Sequence, residues 1–298
     1  MAITHYLTID VEDWYQVCNL EQRFPKHSWE AQESKIVPMV TSLLDLLEQH
    51  GVKATFFIVG ALAKAYPRLV RQISDLGHEV ASHSYWHREV QNCSPREFEE
   101  DIILSKRTIE QAAGREVFGF RAPGFSIGKN ELSALSLVEG AGYRYDSSVL
   151  WGQPEAHLIA GGLWEIPPTA IVVRGRHLPA GGGFFFRALP YPWFRLFVRS
   201  LERREVPLNF YLHTWEIFTD YPRLNLGARS GFVQYYNLSR TRDKFDSLLR
   251  DFSFTSIERA MRLPRATEVV RQKGEGAHGQ LVGVRRQGRS RAIFIAKT

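Results

Sequence analysis

A chain of 298 residues, 44% apolar and 23% charged, is long enough for one large α/β domain or two small ones around a real core. No stretch approaches the ~18 consecutive apolar residues of a membrane-spanning helix. The net charge of +6 sits in the tail: from Arg265 onward eight Lys/Arg face two Asp/Glu, while residues 1–264 balance at 30 against 30, so the body carries no basic bias towards nucleic acid.

The chain enters strand-like sequence at 3–9 with no basic segment followed by an apolar one, which predicts no export signal and a cytoplasmic location. Two cysteines, Cys18 and Cys93, form neither a disulfide framework nor a cysteine zinc site and read as ordinary thiols of a reducing compartment. Ile36, Val37, Val40, Leu43, Leu44 and Leu47 recur at helical spacing before Gly51. The run ATFFIVG (54–60) reads as a strand buried on both faces. A helix over 67–77 opens on Pro and closes on Gly, and HEVASHS (78–84) is a third strand. Over 94–114, Ser94 is the expected N-cap, Pro95 the first helical residue, Glu97 the capping-box partner and Gly114 the stop. Strand-like VFGFRAP (117–123), a helix over 131–139, and strands at 143–149 and 163–168 follow. A helix within 190–204, a strand at 208–213, a helix near 240–250 and a strand at 252–257 complete the alternation. This order predicts a distorted (β/α) barrel of about seven parallel strands, with one domain over 1–264 and a basic tail over 265–298.

Asp10, His83, Arg121, Asp146 and His213 each fall at or just past the end of a predicted strand. In parallel α/β folds those ends converge on one face, where chemistry is done. The segment HSYWH sets His83 and His87 four apart, a spacing that binds one metal if the chain between them is helical or tightly turned. Two imidazoles and a carboxylate with an open position suit zinc, with cobalt, manganese or iron as alternatives. Asp10 and His213 form a natural base and acid pair. Taken singly, His213 reads more readily as a core histidine bonded to backbone, and Asp146 could be a simple turn or cap residue.

These segments, in this order, resemble the NodB-homology polysaccharide deacetylases, also called carbohydrate esterase family four. LTIDVED resembles the first motif, GHEVASHSYWH the second, FRAPGF the third, YDSSV the fourth and YLH the fifth. DVEDWYQV, GGGFFFRALPY, YLHTWEI and LLRDFSFTSI further resemble a bacterial subgroup associated with exopolysaccharide gene clusters. The resemblance implies that Asp10 is the base, that Arg121 orients it, that His83 and His87 bind the metal and that His213 protonates the leaving group, with Asp146 orienting His213. The first motif departs from the family's adjacent Asp pair. Strand alternation puts Glu12 on the side of Asp10, whereas a turn from Val11 would bring in Asp13; the shorter carboxylate tips the expectation to Asp13.

The activity implied is metal-dependent removal of N-acetyl groups from amino sugars of a polysaccharide or oligosaccharide, in exopolysaccharide biosynthesis. Trp86, Phe125, Trp164 and Trp215 are candidate sugar-stacking rings. A cyclic amide hydrolase and a non-catalytic sugar-binding module are the alternatives. The expected partner is an N-acetylated glycan, not a nucleic acid, and the oligomeric state is open.

Overall fold

The computed structural model describes residues 3–159 and 161–262; the tail from 265, and with it the predicted domain boundary, lies outside the described residues. Strand β1 (Thr4–Val11) sends Leu7, Ile9 and Val11 into the main apolar core, which leaves Thr8 and Asp10 on the opposite face. Strands β2 (Thr55–Ile58), β3 (Glu79–Ser82), β4 (Gly119–Phe120) and β5 (Tyr145–Asp146) each pair in parallel with the one before. The helices between them are α1 (Ile36–Gln49), α2 (Gly60–Ala65) with α3 (Pro67–Asp75), α4 (Pro95–Ala113) and α5 (Ser133–Gly140). Helix α4 begins as predicted: Ser94 Oγ accepts from Glu97 N while Glu97 takes the Ser94 N–H, and Gly114 turns left-handed at φ 68°.

After β5 the chain adds β6 (His157–Leu158), antiparallel to β7 (Trp164–Glu165), and a separate hairpin of β8 (Ala170–Val173) and β9 (Arg176–Pro179). The hairpin and β6 are absent from the sequence expectation; both are short and lack an alternating apolar pattern. Helices α6 (Gly183–Ala188) and α7 (Tyr191–Glu202) precede β10 (Asn209–His213), α8 (Thr214–Ile217), α9 (Ala228–Tyr235), α10 (Thr241–Asp251), β11 (Ser253–Thr255) and α11 (Ile257–Met261). Both β10 and β11 pair in parallel with β1, giving the order β10-β1-β2-β3-β4-β5-β7-β6 with β11 beside the start of β1. Among the described residues no helix is long and apolar enough to cross a membrane.

The mostly parallel sheet curls into a half-barrel. No backbone ladder joins β7 to β10; side chains bridge the gap instead. The Asn209 amide donates to the carbonyls of Ile166 and Pro167, both at 3.1 Å, and Thr169 Oγ1 accepts from Asn209 N at 2.9 Å. The concave interior is filled at mid-height by Phe57, Ala81, Phe118, Tyr145 and Ile166. Tyr145 fits only because residue 119 is Gly: a Cβ there would lie 2.1 Å from the ring.

At the N-terminal end of the strands Glu79 is fully buried. Its carboxylate accepts from Tyr145 Oη at 2.7 Å, Thr55 Oγ1 at 2.5 Å and Glu258 N at 2.8 Å. Burial nevertheless outweighs these bonds and raises its pKa from 4.5 to about 7. A carboxyl raised in the folded state costs nothing below its unfolded pKa and costs most above its folded one. Wild-type stability should therefore fall, relative to Glu79→Gln, as pH rises from about 4.5 to about 7, with a full difference on the order of 3 kcal/mol. Chemical denaturation of both proteins at pH 5 and pH 8 measures it; a wild-type-minus-variant difference that does not change with pH would refute the assignment.

Candidate active site

The parallel ladder sets Asp10 opposite His213, the last residues of β1 and β10 to pair. Behind Asp10 stands Arg121, just past β4 and completely buried. Its Nη1 donates to Asp10 Oδ1 at 2.8 Å and to Thr8 Oγ1 at 2.9 Å, while Nε and Nη2 donate to Ser147 O and Ser147 Oγ at 3.1 and 3.0 Å. The guanidinium also lies 4.2 Å from the centre of the Phe57 ring. The second Asp10 oxygen is thereby left facing His213, with Oδ2 3.9 Å from Nε2.

His213 is held from behind in the same way, but not by the residue expected. Glu216, three positions on and fully buried, takes the His213 N–H at 3.0 Å and sits 2.9 Å from Nδ1. Its other oxygen accepts from Arg187 Nε at 2.6 Å. Arg187, 1% exposed, also donates to the carbonyls of Val233, Gln234 and Tyr236. Burial works against charge on His213, but Glu12, Glu216 and Asp10 together raise it to about 9. Burial likewise opposes the Glu216 charge, and Arg187 with His213 outweighs it and lowers the pKa.

Asp146, expected to orient His213, instead accepts from Ser148 N at 3.0 Å and Ser148 Oγ at 2.8 Å. Ser148 Oγ in turn receives Ala122 N at 2.7 Å, so Asp146 shapes the loops beside Arg121. It is buried against Glu165, and burial raises the pKa of both carboxyls. The correction has a plain cause. Asp146 belongs to β5, separated from β10 by four strands along the sheet, whereas Glu216 lies one turn of helix from His213.

The two carboxylates that follow Asp10 in the first motif point in different directions. Asp13 is turned away from the barrel mouth: it accepts from Ser34 Oγ at 2.5 Å, from Trp14 N at 3.0 Å and from Lys35 N at 3.1 Å, ahead of α1. Glu12 is the carboxylate brought to the imidazoles. Its Oε2 lies 2.9 Å from His87 Nε2 and its Oε1 3.4 Å from His213 Nε2. Trp215 Nε1 donates to Oε1 at 3.1 Å, and Thr214 Oγ1 clamps the Glu12 backbone by donating to its carbonyl at 2.5 Å. Burial pushes Glu12 up, yet His87, His213 and His83 overcome it and bring the pKa down to about 2.

His83 follows β3, and its Nδ1 lies 2.8 Å from the Arg121 carbonyl, which fixes Nδ1 as the protonated nitrogen and leaves Nε2 with a free lone pair. Its ring centre is 5.0 Å from that of His87. The turn between them puts Ser84 and His87 at φ 63° and 53°, a left-handed backbone that needs support. Asp101 of α4 supplies it, accepting from Ser84 Oγ at 2.7 Å, Tyr85 N at 2.6 Å and Trp86 N at 3.0 Å. Among the described residues no group of three or more His, Cys, Asp or Glu is already gathered to hold a metal ion. The donor chemistry nonetheless fits one: buried Glu12 Oε2 accepts no hydrogen bond despite its approach to His87.

Of the four aromatic candidates, Trp86 is 37% exposed beside His87. Phe125 lies 5.3 Å from the Arg121 guanidinium. Trp215, 4% exposed, is stacked 5.2 Å from His213 and braces Glu12 from within the protein. Trp164 packs against the interior cluster around Phe57, away from the mouth. Sequence reasoning missed Glu216, Arg187 and Asp101. His213 and Glu216 stand at capping-box spacing, and Asp101 interrupts the apolar stripe of Phe98, Ile102 and Ile109.

Residues 32–145 match the family model for polysaccharide deacetylase, and residues 148–262 match a model described as a domain of unknown function (DUF3473). The chain is 32% identical over 143 residues to a chitooligosaccharide deacetylase of Bradyrhizobium sp. (strain ANU 289), covering 47% of this chain and 65% of that protein. It is 34% identical over 90 residues to a peptidoglycan-N-acetylglucosamine deacetylase of Bacillus cereus, covering 30% of this chain and 33% of that one. The chain thus spans less than two thirds of these curated relatives. A crystal structure of a candidate polysaccharide deacetylase from Mycobacterium smegmatis shares the fold, with a TM-score of 0.60 over 95% of this chain and 96% of that one at 16% identity. The segment 32–145, which carries His83, His87 and Arg121, is thus the part of the chain that is similar to polysaccharide deacetylases.

Proposed function

We propose that this protein hydrolyses N-acetyl groups from amino sugars of a glycan, as a metal-dependent deacetylase of exopolysaccharide biosynthesis. One observation carries the reading. Asp10 and His213 meet across the β1/β10 register, each fixed from behind by a buried carboxylate–guanidinium arrangement, with Glu12, His83 and His87 beside them. Hydrolysis of an amide needs a group that takes a proton from the attacking water and another that gives one to the departing amine. Asp10, with Oδ1 taken up by Arg121, takes the proton at Oδ2. His213, kept protonated by its three carboxylate neighbours, gives one from Nε2 to the amine. Glu216 holds His213 in the tautomer and orientation that this transfer requires.

Glu12, His83 and His87 would hold the metal, zinc by ligand preference, with cobalt, manganese or iron as substitutes. When bound there, a divalent ion supplies Lewis acidity towards the acetamide carbonyl and lowers the pKa of water. Trp86, open to solvent between the two histidine ligands, is suited to stack on a sugar ring. The names of the relatives, which specify chitooligosaccharide and peptidoglycan N-acetylglucosamine, support an N-acetylated glycan as substrate.

Two measurements test this reading. Metal analysis after equilibration with zinc should find Glu12→Gln largely depleted and Asp13→Asn loaded like the wild type; the reverse pattern would reinstate Asp13. Acetate release from N-acetylated chitooligosaccharides should stop on chelation and return with metal. Asp10→Asn should lower kcat by about 10²–10⁴-fold. Glu216→Gln, which leaves the geometry but not the carboxylate, should cost up to about 10⁴-fold in kcat with little change in KM. An unaltered rate in Asp10→Asn, or acetate release that ignores the chelator, would sink the mechanism.

A further inference from the structure

A second concentration of charge lies outside the barrel, where α2 and α3 pack beside α4. Helix α3 buries Leu69, Val70 and Ile73, which turns Arg68 and Arg71 towards solvent. With Lys64 of α2 they line a cleft of about 470 Å³, whose α4 wall is formed by Thr108 and Gln111. The buried Ala63 and Ala112 lie at its base, and none of the lining residues is acidic. The Arg71 guanidinium reaches the end of α4: a Cβ on Gly114 would lie 2.1 Å from its Nη1. Because Gly114 precedes β4, the cleft lies towards the N-terminal ends of the strands, away from the mouth that holds Asp10 and His213.

These three cations differ from their neighbours in having no partner. On α4, Arg96 pairs with Glu100 and Lys106 with Glu110, both at 2.9 Å. Lys64, Arg68 and Arg71 make no ion pair or hydrogen bond among the described residues. Arg68 and Arg71 also stand three apart on one helix, a spacing at which like charges repel. A concave surface lined by one sign of charge draws the opposite charge to it. Guanidinium forks match phosphate oxygens two at a time, and an ammonium adds a point charge. Three such groups in one cleft suit a diphosphate better than a single carboxylate. The volume is that of a small-molecule site, roughly 300–1,000 Å³, and the alanine base offers apolar contact to an attached ring. We propose that this cleft binds a small ligand carrying a diphosphate group, of the nucleoside diphosphate class. None of its residues takes part in the deacetylase reading, so the two stand or fall separately.

The test is calorimetric titration of the full-length protein with inorganic pyrophosphate and with uridine diphosphate. Two variants accompany the wild type. Lys64→Gln/Arg68→Gln/Arg71→Gln removes the cations, and Thr108→Glu/Gln111→Glu keeps them but sets carboxylates on the facing wall. Thermal unfolding checks that each is folded, and the second variant decides alone if the first is not. The wild type should bind both probes, more weakly as salt is raised. Each variant should weaken binding by about tenfold or more. Equal affinity for the two probes means that the diphosphate alone is recognised; tighter uridine diphosphate means that the attached group is seated as well. A wild type that binds neither probe overturns the proposal. So does binding that both variants leave unchanged, since the probe is then held elsewhere, as at a metal in the mouth. Cation-dependent binding of polyglutamate with none of pyrophosphate also overturns it, and the cleft is then a docking surface for an acidic polypeptide.

Discussion

The site depends on one buried ion pair, Arg121 with Asp10, both nearly without solvent contact. Removing two charges from water is expensive, and their mutual attraction compensates only when the remaining donors and acceptors are also satisfied. Here they are: Thr8, Ser147 and the Phe57 ring complete the guanidinium's surroundings. Each partner comes from a different strand or strand end, so the pair fixes β1, β2, β4 and β5 relative to one another. It also determines which oxygen of Asp10 is free. With Oδ1 committed to Arg121, Oδ2 is the oxygen that meets His213.

The His213 side repeats the device with an independent set of residues. Arg187 commits one oxygen of Glu216, and the other meets His213. Two guanidiniums, one behind each reacting group, thus replace the solvent that would otherwise orient them. The two sides come from different stretches of chain. Asp10 and Glu12 precede both family matches, His83, His87 and Arg121 fall in the first, and His213, Glu216 and Arg187 fall in the second. The second matched stretch therefore supplies His213 and its support, joined to the rest by the β1/β10 ladder and by Thr214 on Glu12.

How far the sequence foretells this depends on the range of the interaction. The parallel strands and the long helices were legible, because period and caps are local signals: the Ser94 to Gly114 segment folds as its end residues dictate. The convergence of Asp10, His83, Arg121 and His213 was legible too, since parallel strands share a C-terminal face. The choice between Glu12 and Asp13 was not. One residue of offset past a strand reverses the face, and the deciding contacts, Ser34 on Asp13 and Trp215 on Glu12, are 21 and 203 positions away. Asp146 misled because a position at a strand end says which rim a residue occupies but not which neighbour it reaches. Arg187 could not be read at all, since nothing in its helix shows that its partners come from α8 and the end of α9.

Charge balance leaves the site room for a further cation. Asp10, Glu12 and Glu216 are buried together against two guanidiniums, Arg121 and Arg187, which leaves one negative charge uncompensated in a medium that penalises it. Without any ion, the proton on His213 supplies the balance, and Glu12 is its largest favourable neighbour. A divalent cation on Glu12, His83 and His87 would take over that role. Glu12 would then be spent on the cation, leaving His213 supported mainly by Glu216 and Asp10, and its proton would be held less tightly. Binding of a cation there and loosening of the His213 proton would be one electrostatic event. The carboxylate that holds His213 would then have to be a residue other than those taking the cation, and Glu216, held by its own arginine, meets that requirement.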